Sequence, residues 1–147
     1  MGINFMTALD IASSGLSAQR TLLNVISMNL ANINTTRTQE GGPYRKKEVI
    51  FQSAPIKWPS DNLMRTELER QIKGVKVNRI VEDYDGVRKV YDPNHPDADE
   101  DGYVSYPDIN VVEEMAKMLT ALRSYEANLS TVTSIKTMLN SALQIAR

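Results

Sequence analysis

Cysteine is absent from this sequence, which excludes disulfides, thiolate metal sites and cysteine nucleophiles while leaving the compartment open. Histidine is nearly absent too: His95, the single one, cannot by itself build a catalytic triad or an imidazole metal site. Held between Pro93 and Pro96, it is expected to be a plain surface residue. The net charge of −1 gives no electrostatic case for nucleic acid or an anionic membrane. No run reaches the roughly 18 apolar residues of a membrane span. Residues 1–30 lack the basic start and unbroken apolar core of a secretory leader, with Asp10 and several Ser and Asn residues interrupting them, so any export is expected to use a route that reads no cleavable leader. No Gly-rich phosphate loop, nucleophile elbow or distinctive carboxylate pair is present. An enzyme is therefore not expected, and neither is a bound cofactor.

Proline and charge divide what remains. All six prolines fall between residues 43 and 107. Residues 1–36 carry only Asp10 and Arg20, whereas residues 37–109 hold 26 of the 35 charged side chains. The middle reads as a solvated, turn-rich module and the two ends as helices meant to be covered. This implies a discontinuous helical unit, 1–36 with 108–147, and a small β-rich module over 37–107.

Asn110 to Arg147 is expected to be one helix, roughly 55 Å long at about 1.5 Å per residue. Val111, Met115, Met118, Leu122, Tyr125, Leu129, Val132, Leu139 and Leu143 alternate four and three apart, with Lys136 as the one polar slot. That is a heptad seam, and Lys136 is the first candidate for a register-setting or intersubunit contact. The N-terminal segment repeats the pattern with Phe5, Leu9, Ala12, Leu16, Leu23, Ile26, Leu30 and Ile33, Gln19 being its polar slot. Asn4 is a candidate cap, and Gly15 with Ala8, Ala12 and Ala18 would let another helix approach closely. The expected fold is mainly α with a small β module: the two terminal helices pair as an antiparallel coiled coil, and short strands are inserted between them. Further apolar residues, Ile135, Met138, Ala142 and Ile145 on one helix and Met6, Leu22, Val25 and Met28 on the other, widen the stripe beyond what one partner covers. An ordinary intramolecular core is one account of the two stripes; the excess argues for packing among copies or relatives.

Arg45–Gln52 and Gly74–Val81 show β-branched residues near period two and read as strands. Asp85-Gly86 marks a turn, Val87–Tyr91 a third strand and Tyr103–Tyr106 a fourth. Residues 60–73 fit a short helix or an exposed loop. Arg45, Lys46 and Lys47 read as a solvated strand face. Asn110 followed by Glu113 is a capping box, and Pro107 prevents an earlier start. Asp97, Asp99, Asp101, Gly102 and Asp108 occupy calcium-loop positions. However, Pro93 and Pro96 forbid the entering helix, Pro107 sits where the exiting one should begin, and Asp is a short substitute for the closing Glu. An acidic turn feeding a strand accounts better for the run.

Specific blocks then match a family. Ser27-Met-Asn-Leu-Ala-Asn-Ile-Asn-Thr35, closing the first helix, resembles the signature of bacterial flagellar rod, hook and hook-associated axial proteins. Gly41–Gln52, Val90–Pro93, Ala98–Val104, Pro107–Met115 and Ser124–Asn128 are similar to the proximal rod proteins within that family, so the resemblance covers nearly the whole chain. Thr36–Pro43 is a longer linker than many axial proteins have, and residues 60–73 look like extra length.

The resemblance implies a structural subunit of the flagellar basal-body rod, the drive shaft and export channel crossing the periplasm, exported uncleaved by the flagellar type III apparatus. Partners implied are other rod subunits of the FlgB, FlgF and FlgG types, copies of itself and the basal-body adaptor FliE. Subunit packing would fall to Phe5, Leu9, Leu16, Leu23, Ile26, Leu30, Met115, Met118, Leu122, Leu129, Val132 and Leu139. The family motif would comprise Asn29, Ala31, Asn32, Thr35, Tyr44 and Arg45, with Asn29, Asn32 and Thr35 ending the first helix and fixing its exit. The alternative is a non-flagellar coiled-coil adaptor or secretion-system component, which explains the heptads but not the Asn-Leu-Ala-Asn and Pro-Tyr-Arg blocks.

Overall fold

The computed structural model describes residues 5–56 and 72–145. Helix α1 spans Phe5–Ala31, strands β1 and β2 span Lys47–Pro55 and Lys73–Glu82, β3 and β4 span Val87–Tyr91 and Tyr103–Pro107, and helix α2 spans Val111–Ile145. Asn4 and nearly all of 60–73 lie outside the described residues, so the cap and helix-or-loop expectations there stand where they were.

Each helix begins or ends for a local reason. At α2, Asn110 Oδ1 accepts from the N–H groups of Val112 (3.0 Å) and Glu113 (3.3 Å), satisfying two donors of the first turn that have no intrahelical acceptor. The reciprocal half of the expected capping box is replaced: Glu113 pairs instead with Lys117 Nζ at 2.6 Å, one turn on. At the end of α1, the Asn32 side chain donates to Met28 O (2.8 Å) and Thr35 Oγ donates to Asn32 Oδ1 (3.1 Å). These bonds supply partners to the last turn where the helix can no longer do so. The chain then doubles back through Gly41 and Gly42, whose φ values of +91° and +76° suit glycine alone, until Tyr44 N–H reaches Thr35 O at 3.0 Å.

The strands form two separate antiparallel pairs. β1 and β2 run in register from Lys47 opposite Glu82 to Pro55 opposite Lys73, with a slip between Ile50 and Phe51 that leaves Asn78 as a bulge residue. β3 and β4 pair from Val87 opposite Pro107 to Tyr91 opposite Tyr103. The first pair lies on α1: Val75 N–H donates to Ser14 Oγ at 3.1 Å, and a Cβ on Gly74 would sit 2.8 Å from that oxygen. Strand and helix meet there because neither brings bulk.

The helices pack side by side and antiparallel, since Asn29 meets Glu114 and Gly15 meets Asn128. Their packing corrects the expected seam. The covered row on α2 is Glu114, Met118, Ala121, Tyr125, Asn128, Val132, Ile135 and Leu139. Met118, Tyr125, Val132 and Leu139 belong to the expected row, but Val111, Met115, Leu122, Leu129 and Leu143 are exposed. The line through Met118, Tyr125, Val132 and Leu139 is kept, while the other steps back by one residue, from Met115, Leu122 and Leu129 to Glu114, Ala121 and Asn128, so the seam as a whole turns by about 50°. Close approach selects small or hydrogen-bonded groups over large apolar ones, so Ala121 and Glu114 face α1 rather than Leu122 and Met115. Lys136 is likewise exposed and sits outside the contact. On α1, Ala12, Ala18, Val25 and Ile26 are buried, Leu9, Leu16, Leu23 and Leu30 half-buried and Phe5 exposed.

Candidate functional site

The densest polar chemistry in the described residues lies where α1 ends and α2 begins. Asn29 is 1% exposed, and its amide uses every donor and acceptor it has. Nδ2 donates to Lys47 O (2.9 Å) and to Glu114 Oε2 (3.1 Å), while Oδ1 accepts from Lys47 N–H (2.9 Å) and Tyr44 O–H (3.1 Å). One side chain thus ties the helix end to the returning segment, the first residue of β1 and the second helix. Asn32 and Thr35 turn the chain out, and Asn29 catches it when it returns.

Glu114 is equally buried, at 1% exposure. Besides Asn29, its carboxylate meets Lys117 Nζ at 3.1 Å and Lys46 Nζ at 3.7 Å. A buried carboxylate is tolerable when cations and donors surround it, and costly when they are removed. Lys117 also holds Glu113, so one ammonium serves two carboxylates: the Glu113 hydrogen bond raises the Lys117 pKa above its usual value and lowers that of Glu113. Burial, followed by the negative charges of Glu82 and Glu114, pushes the Tyr44 phenol above its ordinary 10.0.

The basic run is therefore not a solvated strand face. Arg45 donates to Tyr84 O at 2.7 Å and lies 5.7 Å over the Tyr84 ring, Lys46 reaches Glu114, and Lys47 pairs with Glu82 at 3.2 Å. Sequence reasoning missed Glu114. The glutamate beside it, Glu113, fitted a capping box, and nothing in the local spacing says which of two adjacent carboxylates turns inward. A carboxylate one turn before Lys117, on the same face as Ala121, was the available signal.

His95 departs from expectation as well. It is half-buried, its Nδ1 accepts from Asp97 N–H at 3.1 Å, and its ring meets Tyr106 edge-on at 6.3 Å. The acidic run feeds β4 as a turn: Asp99 Oδ1 accepts from Asp101 N–H and Tyr103 N–H at 3.1 and 2.7 Å. Asp97 is engaged by Thr36 Oγ at 2.8 Å and Arg37 at 3.7 Å. Asp97 and Asp99 thus pin linker and backbone.

The second feature is the outer surface of α2. Val112, Met115, Leu119, Leu122 and Leu129 form an exposed apolar row, Met115 at 54% and Leu119 at 58%. From Met118 to Ile145 the helix carries only Arg123, Glu126 and Lys136 as charges. The hydroxyls of Thr120, Ser124, Thr131, Thr133 and Thr137 each donate to the carbonyl four residues back, at 2.9–3.0 Å, so their donor need is met within the helix. Among the described residues no helix is long and apolar enough to cross a membrane. The expected packing residues thus divide between the two surfaces. Ile26 lies between the elements of this chain, Leu9, Leu16, Leu23, Leu30, Met118, Val132 and Leu139 are half-covered, and Phe5, Met115, Leu122 and Leu129 face outward. Of the motif residues, Asn29, Tyr44, Arg45, Asn32 and Thr35 make the junction bonds, and Ala31 is exposed.

Comparison with known proteins agrees with this anatomy. Residues 9–38 match the family described as flagella basal body rod protein, and residues 100–145 match the C-terminal family of flagellar basal body rod FlgEFG proteins. A flagellar basal-body rod protein FlgC from Borreliella burgdorferi is 41% identical, over 97% of this chain and 98% of its own. FlgC of Bacillus subtilis is 39% identical over 95% and 97%, and that of Salmonella typhimurium is 36% identical over 97% and 98%.

Proposed function

The chain belongs to the FlgC family of flagellar basal-body rod proteins and is a structural subunit of the basal-body rod that assembles with other rod proteins; from that premise we propose how it does so. The apolar row Val112, Met115, Leu119, Leu122 and Leu129 is the surface by which α2 packs on neighbouring subunits. Its exposure in a single chain, on a helix that carries only three charges from Met118 on, is the observation that carries this reading. Burying one such side chain contributes roughly 1.5–3 kcal/mol, and the self-bonded hydroxyls beside the row would enter an interface without leaving a donor unpaired. Leu9, Leu16, Leu23, Ile26, Leu30, Met118, Val132 and Leu139 then hold the helix pair that presents the row.

In this reading residues 1–36 and 108–147 form the axial core and 37–107 an outer module. Neighbours are copies of the chain, rod subunits of the FlgB, FlgF and FlgG types and the adaptor FliE. The subunit reaches the periplasm-spanning rod through the flagellar type III apparatus. Replacing Leu122 by Asp should abolish incorporation into rods while the protein is still made and exported. Motile cells with normal basal bodies carrying Leu122→Asp would overturn the assignment of this row.

A further inference from the structure

Apolar matching alone does not determine how far α2 slides along α1. The covered row of α2 repeats every seven residues: Met118, Tyr125, Val132 and Leu139 form one line, and Ala121 and Ile135 lie on the other. A slide of one heptad, about 10.5 Å at 1.5 Å per residue, would exchange Tyr125 for Met118, Val132 for Tyr125 and Leu139 for Val132. Apolar side chains would still face α1. Two positions in the row break the repeat, Glu114 and Asn128, and each meets a specific counterpart.

We infer that the register of the helix pair is set by two keys, the buried Asn29–Glu114 hydrogen bond and the fit of Asn128 against Gly15. The first key is polar. Slid by one heptad, Asn29 would face Ala121, losing the acceptor for one of its donors, and Glu114 would leave the donor that holds its Oε2. A buried polar group without a partner disfavours that arrangement far more than an apolar mismatch does. The second key is steric. A Cβ on Gly15 would lie 2.9 Å from Asn128 Nδ2, so the Asn side chain occupies room that glycine alone provides, and the slide would bring Ile135 there instead. The keys are fourteen residues apart on both helices, so any slide breaks them together. Single buried polar residues fix register in coiled coils in the same way, at some expense in stability.

The absence of cysteine makes the test direct. Gln19 and Ser124 line one cavity between the helices, so Gln19→Cys with Ser124→Cys reports the native register. Gln19→Cys with Thr131→Cys reports the chain slid by one heptad. A short bifunctional thiol reagent is applied to dilute purified full-length protein, and intrachain bridging is read by mass spectrometry. With the keys intact, only the native pair should bridge. In the Glu114→Met/Asn128→Ala background, which keeps Asn29 bonded to Lys47 and Tyr44 and improves helix propensity, circular dichroism should report undiminished helix. The slid pair should then bridge to within about tenfold of the native yield, a register preference of no more than ~1.4 kcal/mol. Exclusive native bridging in that background would overturn the inference, as would failure of the native pair to bridge with both keys present. Loss of helix in the double variant would also overturn it, by showing that the keys supply stability and not choice of register.

Discussion

α1 turns Asp10, Ser13, Ser17, Arg20, Asn24 and Ser27 to the outside, whereas α2 turns out Val112, Met115, Leu119, Leu122 and Leu129. Both helices carry apolar residues four and three apart, yet one has its apolar side covered within the chain and the other does not. The difference is in neighbours. α1 lies against α2 on one side and the β1–β2 pair on another, through Ser14, Val75 and Gly74, so the stripe left from Asp10 to Ser27 is polar and exposed large apolar side chains remain only near its ends, at Phe5, Met6 and Met28. α2 has α1 alone as a large neighbour, and contact with one helix covers one line of side chains. In the reading proposed above, the exposed row is core that neighbouring subunits complete.

That contrast can be broken at its strongest point first. Asn29→Leu removes all four bonds of the buried amide and orphans the Tyr44 hydroxyl and one oxygen of the Glu114 carboxylate. At about 1–3 kcal/mol for each buried group left unsatisfied, chemical denaturation should show a loss of about 3 kcal/mol or more. Next, equal-sized truncations should separate the covered and uncovered rows. Ile26→Ala, at a side chain 2% exposed, should cost roughly 2–5 kcal/mol in the monomer. Leu119→Ala, at 58% exposed, should stay within about 0.5 kcal/mol in the same denaturation measurement and show its effect only in rod assembly. Comparable losses for the two would mean that α2 is covered within the chain after all.

Smallest is the effect of pH at the junction. The lowered Glu113 pKa contributes stability that is complete above the ordinary carboxylate value and is lost as pH falls through the lowered native one. The raised Lys117 pKa contributes below the ordinary ammonium value of 10.5 and is lost as pH rises through its native one. Tyr44 acts in the same alkaline direction, because its neutral form is the one the fold favours. Denaturation midpoints should therefore fall at both acid and alkaline extremes, and Glu113→Gln should flatten the acid side by a small amount, since that pair faces solvent.

Element types were legible in the sequence because long periodic segments and local caps are short-range signals. Asn110 stopping at Pro107 gave the start of α2 to the residue, and Val87–Tyr91 was read as it stands. The facing of α2 was not legible. Hydrophobicity ranks Leu122 above Ala121 and Met115 above Glu114, but proximity of two backbones inverts the ranking at both places. Asn29, Asn32, Thr35, Tyr44 and Arg45 were named from a family pattern, while the bonds of Asn29 to Lys47 and Glu114 and of Arg45 to Tyr84 join residues 18 to 85 apart in sequence and leave no periodic trace. The engagement of Lys46 and Lys47 was hidden for the same reason: their partners belong to other elements.

The amide of Asn29 has one further property. Its oxygen and nitrogen sit on one planar carbon with no freely rotating bond between them, and they grip β1 at Lys47 and α2 at Glu114 simultaneously. A rotation imposed on α2 at that point is handed to the strand through a rigid plate, not through a flexible tether. The joint between the helix pair and the first strand is thus only one side chain wide and shielded from water.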